Sequence, residues 1–493
     1  MRNLSKTRRF GMIAGIGIKV GMAKLRDKEV PKDKILATVL ELGGVYVKFL
    51  QVLAVRNLNI LSLGQDSIDT INKVYDQVAV EDIPIHDLIR KELKGADDQL
   101  AYIENKPFAS GSFGQVYRGK LVSGEEVAIK IIRPSVINNI NFDLNLLGIV
   151  VRIANISNKS VFDYKRLFNQ FATVTRKELN YVAEAEYQEL LHEKYKNHVS
   201  MVIPKVYSEL CSKHVITQEF IHGVSATELI NQREQGIDPN EYIRYTLGSD
   251  LNYQLIILGQ EQLESVLIDG FSHGDPHPGN IMLMTGNRIA LLDFGIKSRS
   301  PADRKAFFGL VKEYQKIYAG QFDFEGYTMA MMGLFVSELT NAVKTFDTYS
   351  RGQATENLLG AIKAAVGDIY QGSIRDVNEL LSRQKHLLVF NTVINQGNRF
   401  GLKFETDEPE FLRASTMYMN LVEALGHKSE VMNVVYSNIV SKYFYYDFAT
   451  KQQSTNPEQA LEVVSGWLDD VASRDAFLFK MIESRINKRL LSV

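Results

Sequence analysis

A predicted β-hairpin between residues 114 and 132 constrains the fold more than any other feature of the sequence. Two strand-like runs, Gly114–Leu121 and Glu126–Ile132, are separated by Ser123-Gly124, which suits a tight turn. A glycine-containing loop, residues 109–116, leads into the first run, and Lys130 lies on the second. Glycine lets the backbone approach phosphate oxygens closely, and a lysine on the adjacent strand would point back under the loop. The hairpin therefore predicts a phosphate-binding element.

Two acidic motifs follow much later in the chain. Residues 273–280 read His-Gly-Asp-Pro-His-Pro-Gly-Asn, and their two prolines exclude a helix and favour a rigid loop. In this loop Asp275 could orient or deprotonate a hydroxyl group or water, Asn280 could bind a metal ion, and His273 is interpreted as a structural anchor. The second motif is an apolar run that ends in Asp293-Phe294-Gly295, where the aspartate is a predicted Mg²⁺ ligand.

The four segments have the order and the predicted secondary structure of protein-kinase motifs, including Val127-Ala128-Ile129-Lys130 on the second strand. They predict an α+β, bilobal protein-kinase-like fold that uses ATP and Mg²⁺, with a small β-rich N-lobe, a helical C-lobe and helical extensions at both termini. A kinase also needs a helical glutamate to pair with the lysine, and we assign Glu184 to this role. The predicted catalytic residues are Asp275, Lys130 and Glu184, and the predicted metal ligands are Asn280 and Asp293. The predicted ATP-binding residues are Ala109, Ser110, Gly111, Ser112, Phe113, Gly114, Val116, Ala128, Lys130, Glu219 and Ile221.

From about residue 35 to about residue 330 the chain resembles the UbiB/AarF family of atypical kinases, the group named for ubiquinone biosynthesis. Residues 178–185 resemble the family's E-x-D motif followed by its lysine-pairing glutamate, and residues 43–51 resemble its K-x-G-Q helix. The resemblance implies that four further residues belong to the active site, namely Lys48, Gln51, Glu178 and Asn180.

Three departures from the family pattern are present. Leu50 replaces the glycine of K-x-G-Q, Asn180 replaces the aspartate of E-x-D, and Gly111 and Gly114 stand where the family usually has an alanine-rich loop. The first two departures put the family's inhibitory N-terminal arrangement in doubt. The third predicts a nucleotide loop that is more like that of an ordinary kinase and less constrained than in the relatives.

The short segment after Gly295 bears on the substrate. Ser300-Pro301 is a predicted helix start, so only Ile296–Arg299 remains for an activation segment, and ordinary protein-kinase activity is not expected. The resemblance instead implies an ATPase or small-molecule kinase coupled to isoprenoid-quinone or other prenyl-lipid metabolism at a membrane. Two alternatives stay open: a phosphotransferase of the aminoglycoside- or choline-kinase type, and a nucleotide-binding scaffold without catalysis.

Composition adds limits on partners and location. The 493 residues carry a net charge of −1, which gives no indication of a nucleic-acid partner, and the single cysteine, Cys211, is interpreted as a core residue in a reducing compartment. Residues 1–34 carry ten basic and three acidic side chains, which suits either a membrane-surface segment or a solvated tail. We expect no signal peptide and no transmembrane helix, hence a cytoplasmic protein, with peripheral membrane contact.

The predicted organisation has four parts: a basic segment (1–34), a helical extension (35–105), a kinase-like domain (106–330) and a helical C-terminal extension (331–493) whose chemistry no motif indicates. Glycines at 11, 15, 17 and 21 are expected to weaken any helix in the first part. Further predictions are a helix at Ile83–Leu93, helices between about 139 and 197, and strands at Val202–Glu209 and His214–Phe220.

Overall fold

The computed structural model describes residues 5–25, 32–55, 80–111, 113–157, 164–299, 304–321, 323, 326–327, 330 and 408–444. The chain divides into two compact units. Unit 1 comprises residues 1–198, 202–222 and 290–296, and unit 2 comprises residues 199–201, 223–289 and 297–493.

Unit 1 combines an antiparallel sheet with helices. Its described helices are α1 (Lys6–Leu25), α2 (Lys32–Leu42), α3 (Gly44–Val55), α4 (Ile85–Leu93), α5 (Pro134–Ser157), α6 (Tyr164–Lys177) and α7 (Tyr181–Tyr195). Its strands are β1 (Leu100–Ile103), β2 (Ala109–Ser110), β3 (Gly114–Leu121), β4 (Glu126–Ile132) and β6 (Val215–Glu219). Short 3₁₀ helices occupy Ala96–Gln99 and Ser208–Leu210. Two strands lie where the chain passes from one unit to the other, β5 (Met201–Val202) and β10 (Ile289–Leu291).

The sheet of unit 1 has five strands in the order β1-β3-β4-β6, with β2 paired to β3. The predicted hairpin is confirmed, because β3 and β4 have the predicted bounds and pair antiparallel from Gly114↔Ile132 to Lys120↔Glu126. Gly124 closes the turn at a φ of 103°, a conformation that favours glycine. The α+β class predicted from the motifs is confirmed as well.

Both faces of this sheet are covered by apolar side chains. On one face Val127, Ile129 and Ile131 of β4 pack with Ile85 and Ile89 of α4. Strand side chains alternate between faces, so Lys130, between Ile129 and Ile131, points to the opposite face. A smaller cluster, Ile132, Tyr181, Ala185, Val206 and Ile216, joins α7 to that opposite face. The pleat of β4, in which successive side chains point to opposite faces, thus places Lys130 on the side of the sheet away from α4.

A third core lies among the helices of unit 1. Leu42, Tyr46 and Phe49, from α2 and α3, pack with Leu144 of α5 and Phe171 of α6. Phe49 contacts Phe171 with ring centroids 5.0 Å apart. This core holds α3, which carries Lys48.

Unit 2 is mainly helical. Its described helices are α8 (Ala226–Glu234), α9 (Pro239–Leu247), α10 (Leu251–Glu264), α11 (Arg304–Tyr318), α12 (Glu408–Ala424) and α13 (Lys428–Tyr443). Its strands are β7 (Val224–Ser225), β8 (Phe271–His273), β9 (Ile281–Leu283) and β11 (Lys297–Arg299), and β7 pairs with β9 and β8 with β11, both antiparallel. Asp238 and Asp250 accept backbone N–H groups at the starts of α9 and α10, as helix-capping residues do.

The C-terminal helices α12 and α13 are part of the core of unit 2. The Tyr436 ring lies parallel to the rings of Tyr314 and Tyr318, with centroid separations of 5.5 and 5.6 Å. Tyr418 donates a hydrogen bond of 2.8 Å to the backbone oxygen of Leu255. These contacts give α12 and α13 a structural role, which no motif in the sequence indicates.

Several sequence predictions need correction. Val202–Glu209 is not one strand: a short strand covers Met201–Val202, Val206 adds an isolated antiparallel bridge to Gln218, and a 3₁₀ helix covers Ser208–Leu210. Pro204 has no N–H to continue a ladder. Despite its glycines, the N-terminal segment forms α1, because Ile13 is buried in the helical core. The proline-containing loop includes a 3₁₀ helix at Pro278–Asn280, since proline is tolerated in a first helical turn. The predicted helix at 83–93 begins two residues later, at Ile85.

Candidate active site

Lys130 lies between two carboxylates on the sheet face opposite the α4 core. Its ammonium nitrogen is 2.9 Å from Oε1 of Glu184 on α7 and 2.7 Å from Oδ2 of Asp293. The Glu184 side chain is only 4% exposed, whereas that of Asp293 is 35% exposed. The structure therefore brings together three residues that lie far apart in sequence, with Glu184 in the position expected for the lysine-pairing glutamate.

The charges of this cluster are unequal, because one cation faces two anions. Burial raises the pKa of Glu184 to about 7, although Lys130 opposes the shift, and the negative charge of Asp293 adds to it. Burial alone would lower the pKa of Lys130, but the carboxylates of Asp293 and Glu184 raise it well above its usual value. The lysine therefore stays charged, and a further cation near Asp293 would relieve the excess of negative charge.

Asp293 is held in place by its own segment. Strand β10 ends two residues before it, and its Oδ1 accepts a 3.0 Å hydrogen bond from the backbone N–H of Gly295. Phe294 is buried and contacts Tyr187 of α7 edge-on, at 6.3 Å between ring centroids. A Cβ at position 295 would lie 3.3 Å from Asp293 Oδ1 and 3.4 Å from Glu184 Oε2, which explains the glycine there.

The glycine-containing loop forms a narrow turn between β2 and β3. Gly111 donates a backbone hydrogen bond of 2.9 Å to Gly114, and the backbone N–H of Arg133 donates one of 2.9 Å to Phe113. The buried Arg133 guanidinium also donates to the Ser110 hydroxyl, at 2.5 Å. The predicted residue Ser112 lies outside the described residues. Arg133, the residue after β4, thus supports the loop, a role that sequence reasoning missed.

The two glycines of the loop differ in their surroundings. A Cβ on Gly111 would meet only the Gly114 oxygen, at 3.9 Å, whereas a Cβ on Gly114 would lie 2.8 Å from both the Ile131 oxygen and the Tyr181 hydroxyl. Position 111 therefore has room for a side chain, whereas packing requires glycine at position 114.

The other predicted nucleotide contacts lie on the same sheet or, for Ile221, just after its strand β6. Val116 is opposite Lys130, and Ala128 is opposite Gln218 in β6. Glu219 ends β6, and Ile221, two residues on, is buried. Ala109 lies in β2, opposite Val116.

Sequence reasoning also missed Gln218. It is buried, and its side-chain amide donates a 3.4 Å hydrogen bond to the backbone oxygen of Leu292, next to Asp293. No sequence signal singles it out, because Gln218 stands between the polar residues Thr217 and Glu219.

Lys48 of α3 approaches the loop from the N-terminal helices. It forms an ion pair with Glu178 and lies 4.9 Å from the centroid of the Phe113 ring. Asn180 accepts a backbone hydrogen bond from Val182 and so caps α7. Gln51 lies in α3, but its side chain is outside the described part of the chain. The predicted motif residues Lys48, Glu178 and Asn180 therefore adjoin the loop and the start of the glutamate helix.

In unit 2 the loop at 273–280 is held by hydrogen bonds. The Asn280 side-chain amide donates a 3.0 Å bond to the backbone oxygen of Asp275, and the backbone N–H of His277 donates one of 2.7 Å to the same oxygen. His273 is buried in β8, and its backbone oxygen accepts a 3.0 Å bond from Gln262 of α10. Asp275 and Asn280 are thus fixed relative to each other by the loop backbone.

The donor set suits Mg²⁺ rather than a metal that needs a complete protein cage. Among the described residues no group of three or more His, Cys, Asp or Glu side chains could hold a metal ion. Mg²⁺ commonly takes one or two carboxylates and completes its shell with substrate phosphates and water. The partly exposed carboxylate of Asp293 offers hard oxygen atoms of the required kind.

Residues 73–316 match the family model of the ABC1 atypical kinase-like domain. These residues carry an ABC1 atypical kinase-like domain, the domain of the UbiB family. Two Arabidopsis thaliana relatives of the ABC1 domain are named Protein ACTIVITY OF BC1 COMPLEX KINASE 8, chloroplastic, and Protein ACTIVITY OF BC1 COMPLEX KINASE 1, chloroplastic. The first is 28% identical and covers 64% of this chain and 41% of the relative; the second is 32% identical and covers 55% and 39%.

The chain thus spans about two fifths of the length of these two relatives. A solved structure from Mycobacterium tuberculosis, of a protein in complex with erythromycin, is 18% identical, with a TM-score of 0.44 and coverage of 84% of this chain and 94% of that one. Within the residues that the structure describes, no helix is both long and apolar enough to cross a membrane.

Cys211 lies in unit 1, apart from the ion pairs of the ABC1 domain. Its thiol is within 3.3 Å of the backbone oxygen of Tyr207, and burial raises its pKa to about 11. A thiol with a raised pKa is a poor nucleophile at neutral pH, which agrees with its interpretation as a packing residue.

Proposed function

We propose that this ABC1 domain binds Mg·ATP and transfers or hydrolyses its terminal phosphoryl group. The observation that carries the proposal is the position of Lys130 between Glu184 and Asp293, at 2.9 and 2.7 Å. A lysine held by a buried glutamate, next to a more exposed aspartate, is the arrangement that kinases use to bind nucleotide phosphates.

Each residue has a role that follows from its charge and surroundings. Lys130 binds the phosphate oxygens, and Glu184 orients its ammonium group. By the kinase pattern of the sequence, Asp293 and Asn280 would hold Mg²⁺, which would neutralise the phosphates when bound. Asp275 orients the acceptor hydroxyl or water and takes its proton. The backbone of the Gly111–Gly114 turn approaches the phosphates, because Gly111 has open space on its Cα.

We further propose that this reaction is coupled to the metabolism of an isoprenoid quinone or another prenyl lipid at a membrane surface. The UbiB resemblance supports this class, and the short segment 296–299 leaves little room for a peptide substrate. Helix α1 supports a peripheral contact, because Phe10 and Ile18 are exposed on a helix whose first turn carries Lys6 and Arg8. The Lys48–Glu178 pair speaks against an aminoglycoside- or choline-kinase type of enzyme, which lacks that feature.

The test is ATP turnover by the purified chain with Mg²⁺, with and without liposomes that contain an isoprenoid quinone or a quinone precursor. Asp275→Asn is the control for the site, and soluble amino alcohols replace the lipid in a parallel set. Lipid-stimulated turnover that is lost in the variant is the expected result. Stimulation by amino alcohols alone would favour the small-molecule kinase, and ATP binding without turnover under any condition would favour a scaffold.

A further inference from the structure

Lys130 has a third neighbour besides its two carboxylates. Its ammonium nitrogen lies 5.0 Å from the centroid of the Tyr181 ring. A lysine ammonium within about 6 Å of an aromatic centroid is attracted by the ring, and the attraction is larger where water is excluded. The side chain of Lys130 is thus contacted by Glu184, Asp293 and an aromatic face.

Tyr181 is fixed in this position by its surroundings. It is the first residue of α7, directly after the capping Asn180. Its backbone N–H donates a 3.0 Å hydrogen bond to the backbone oxygen of Lys213. Its side chain is 3% exposed and packs with Ile132 and Ile216 of the sheet. The ring therefore cannot turn away from Lys130 without disrupting this core.

The hydroxyl end of Tyr181 lies against the loop. A Cβ on Gly114 would be 2.8 Å from the Tyr181 oxygen, so the hydroxyl adjoins the end of the phosphate-binding turn. Burial raises the pKa of this tyrosine, which keeps the ring neutral beside the two carboxylates. One side chain thus contacts both the lysine and the loop.

We propose that Tyr181 is a positioning residue that acts through Lys130: its ring holds the ammonium group in place for the phosphates of the nucleotide. This inference rests on the proposed function, in which Lys130 binds those phosphates. If Asp293 binds a metal ion, its attraction for the Lys130 ammonium group weakens. The Tyr181 ring and Glu184 would then hold the ammonium group. Tyr181 is expected to affect the affinity for ATP and not that for adenosine, because the phosphates are the partners of Lys130.

The experiment places phenylalanine and its mono-, di- and trifluorinated forms at position 181. Fluorination weakens the electrostatic attraction of a ring for a cation with little change in its size. The Kd for Mg·ATP is expected to rise stepwise along the series, to roughly tenfold above that of Tyr181→Phe, while the Kd for adenosine stays constant. The matched control is the same series at Tyr207, a buried tyrosine of unit 1 with Lys205 4.8 Å from its ring centroid, where no change in ATP affinity is expected. A flat response at position 181 would overturn the proposal.

A double-mutant cycle separates this inference from the proposed function, because it needs no nucleotide. The same fluorinated series is measured by denaturant unfolding in the native background and in Lys130→Met. Fluorination is expected to lower the unfolding midpoint only when Lys130 is present. Equal effects in both backgrounds would show that the ring has a packing role alone. If the wild-type chain bound no Mg·ATP, the proposed function would fail, and the cycle would still decide whether Tyr181 holds Lys130.

Discussion

Lys48 on α3 and Glu178, next to the end of α6, form an ion pair whose side chains are only 17% and 10% exposed. The pair ties helix α3 to the segment that precedes α7, the helix that carries Glu184. Asn180, two residues after Glu178, caps α7. Phe113 at the loop contacts the same lysine. The position of the loop is thereby linked to α3.

Breaking this pair on one side is expected to destabilise unit 1. Lys48→Met leaves the mostly buried Glu178 carboxylate without its cation, and such a change costs about 3–5 kcal/mol. The double variant Lys48→Met with Glu178→Gln is expected to recover most of this loss, because no unpaired charge remains. The measurement is the free energy of unfolding in denaturant. Glu41→Gln is the matched control, since the Arg8–Glu41 pair is 54% exposed on each side and should contribute about 0–1 kcal/mol. A loss in Lys48→Met no larger than in the control would contradict this account.

The two loop glycines are expected to respond differently to alanine. Gly114→Ala places a Cβ within 2.8 Å of the Ile131 oxygen and the Tyr181 hydroxyl, so it should lower stability even without ligand, by about 1–3 kcal/mol. Gly111→Ala meets nothing closer than 3.9 Å, so its stability should stay near that of the wild type while its affinity for Mg·ATP falls. Thermal unfolding and calorimetric titration measure the two effects. Unchanged nucleotide affinity and turnover in Gly111→Ala would refute the idea of a less constrained nucleotide loop.

The sequence allowed accurate prediction where local chemistry decides the structure. Strands β3 and β4 have their predicted bounds, because their strand-forming residues and the Ser123-Gly124 turn act locally. The prediction of one strand at 202–209 is wrong, since its apolar residues are buried in an irregular backbone around Pro204. The neighbours of Lys130 include Tyr181, Glu184 and Asp293, and only tertiary packing brings the tyrosine ring to the lysine. A general kinase pattern indicated the two carboxylates but gave no signal for the ring.

The stability of the folded chain should carry a pH dependence from Glu184. Its folded pKa of about 7 lies above the ordinary value of 4.5, so between these values the folded state binds a proton that the unfolded state has lost. The contribution of this group to stability therefore falls as the pH rises through that window. Comparing the free energy of unfolding of wild type and Glu184→Gln at several pH values isolates the effect. In Asp293→Asn the decline should become smaller, because the neighbouring negative charge that helps to raise the pKa is gone. Identical pH profiles in wild type and Glu184→Gln would be inconsistent with a raised pKa.

Asp275 is expected to serve turnover rather than binding. Asp275→Asn keeps the size of the side chain and its place in the loop, where Asn280 bonds the backbone of residue 275 and not its side chain. Affinity for Mg·ATP should therefore be retained, while turnover falls by at least ~10²-fold if the carboxylate acts as the base. Steady-state ATP hydrolysis together with calorimetric titration separates the two quantities. Wild-type turnover in this variant would remove Asp275 from the mechanism.

The central claim, that the cluster of Lys130, Glu184 and Asp293 binds Mg·ATP, is tested most directly by calorimetric titration of ATP with and without Mg²⁺. The wild-type chain should bind ATP more tightly with Mg²⁺, and Asp293→Asn should lose this dependence on the metal because it removes the proposed carboxylate ligand. The variant is expected to stay folded, since Glu184 still pairs with Lys130 at 2.9 Å. Mg²⁺-dependent ATP binding of wild-type strength in folded Asp293→Asn would contradict the account.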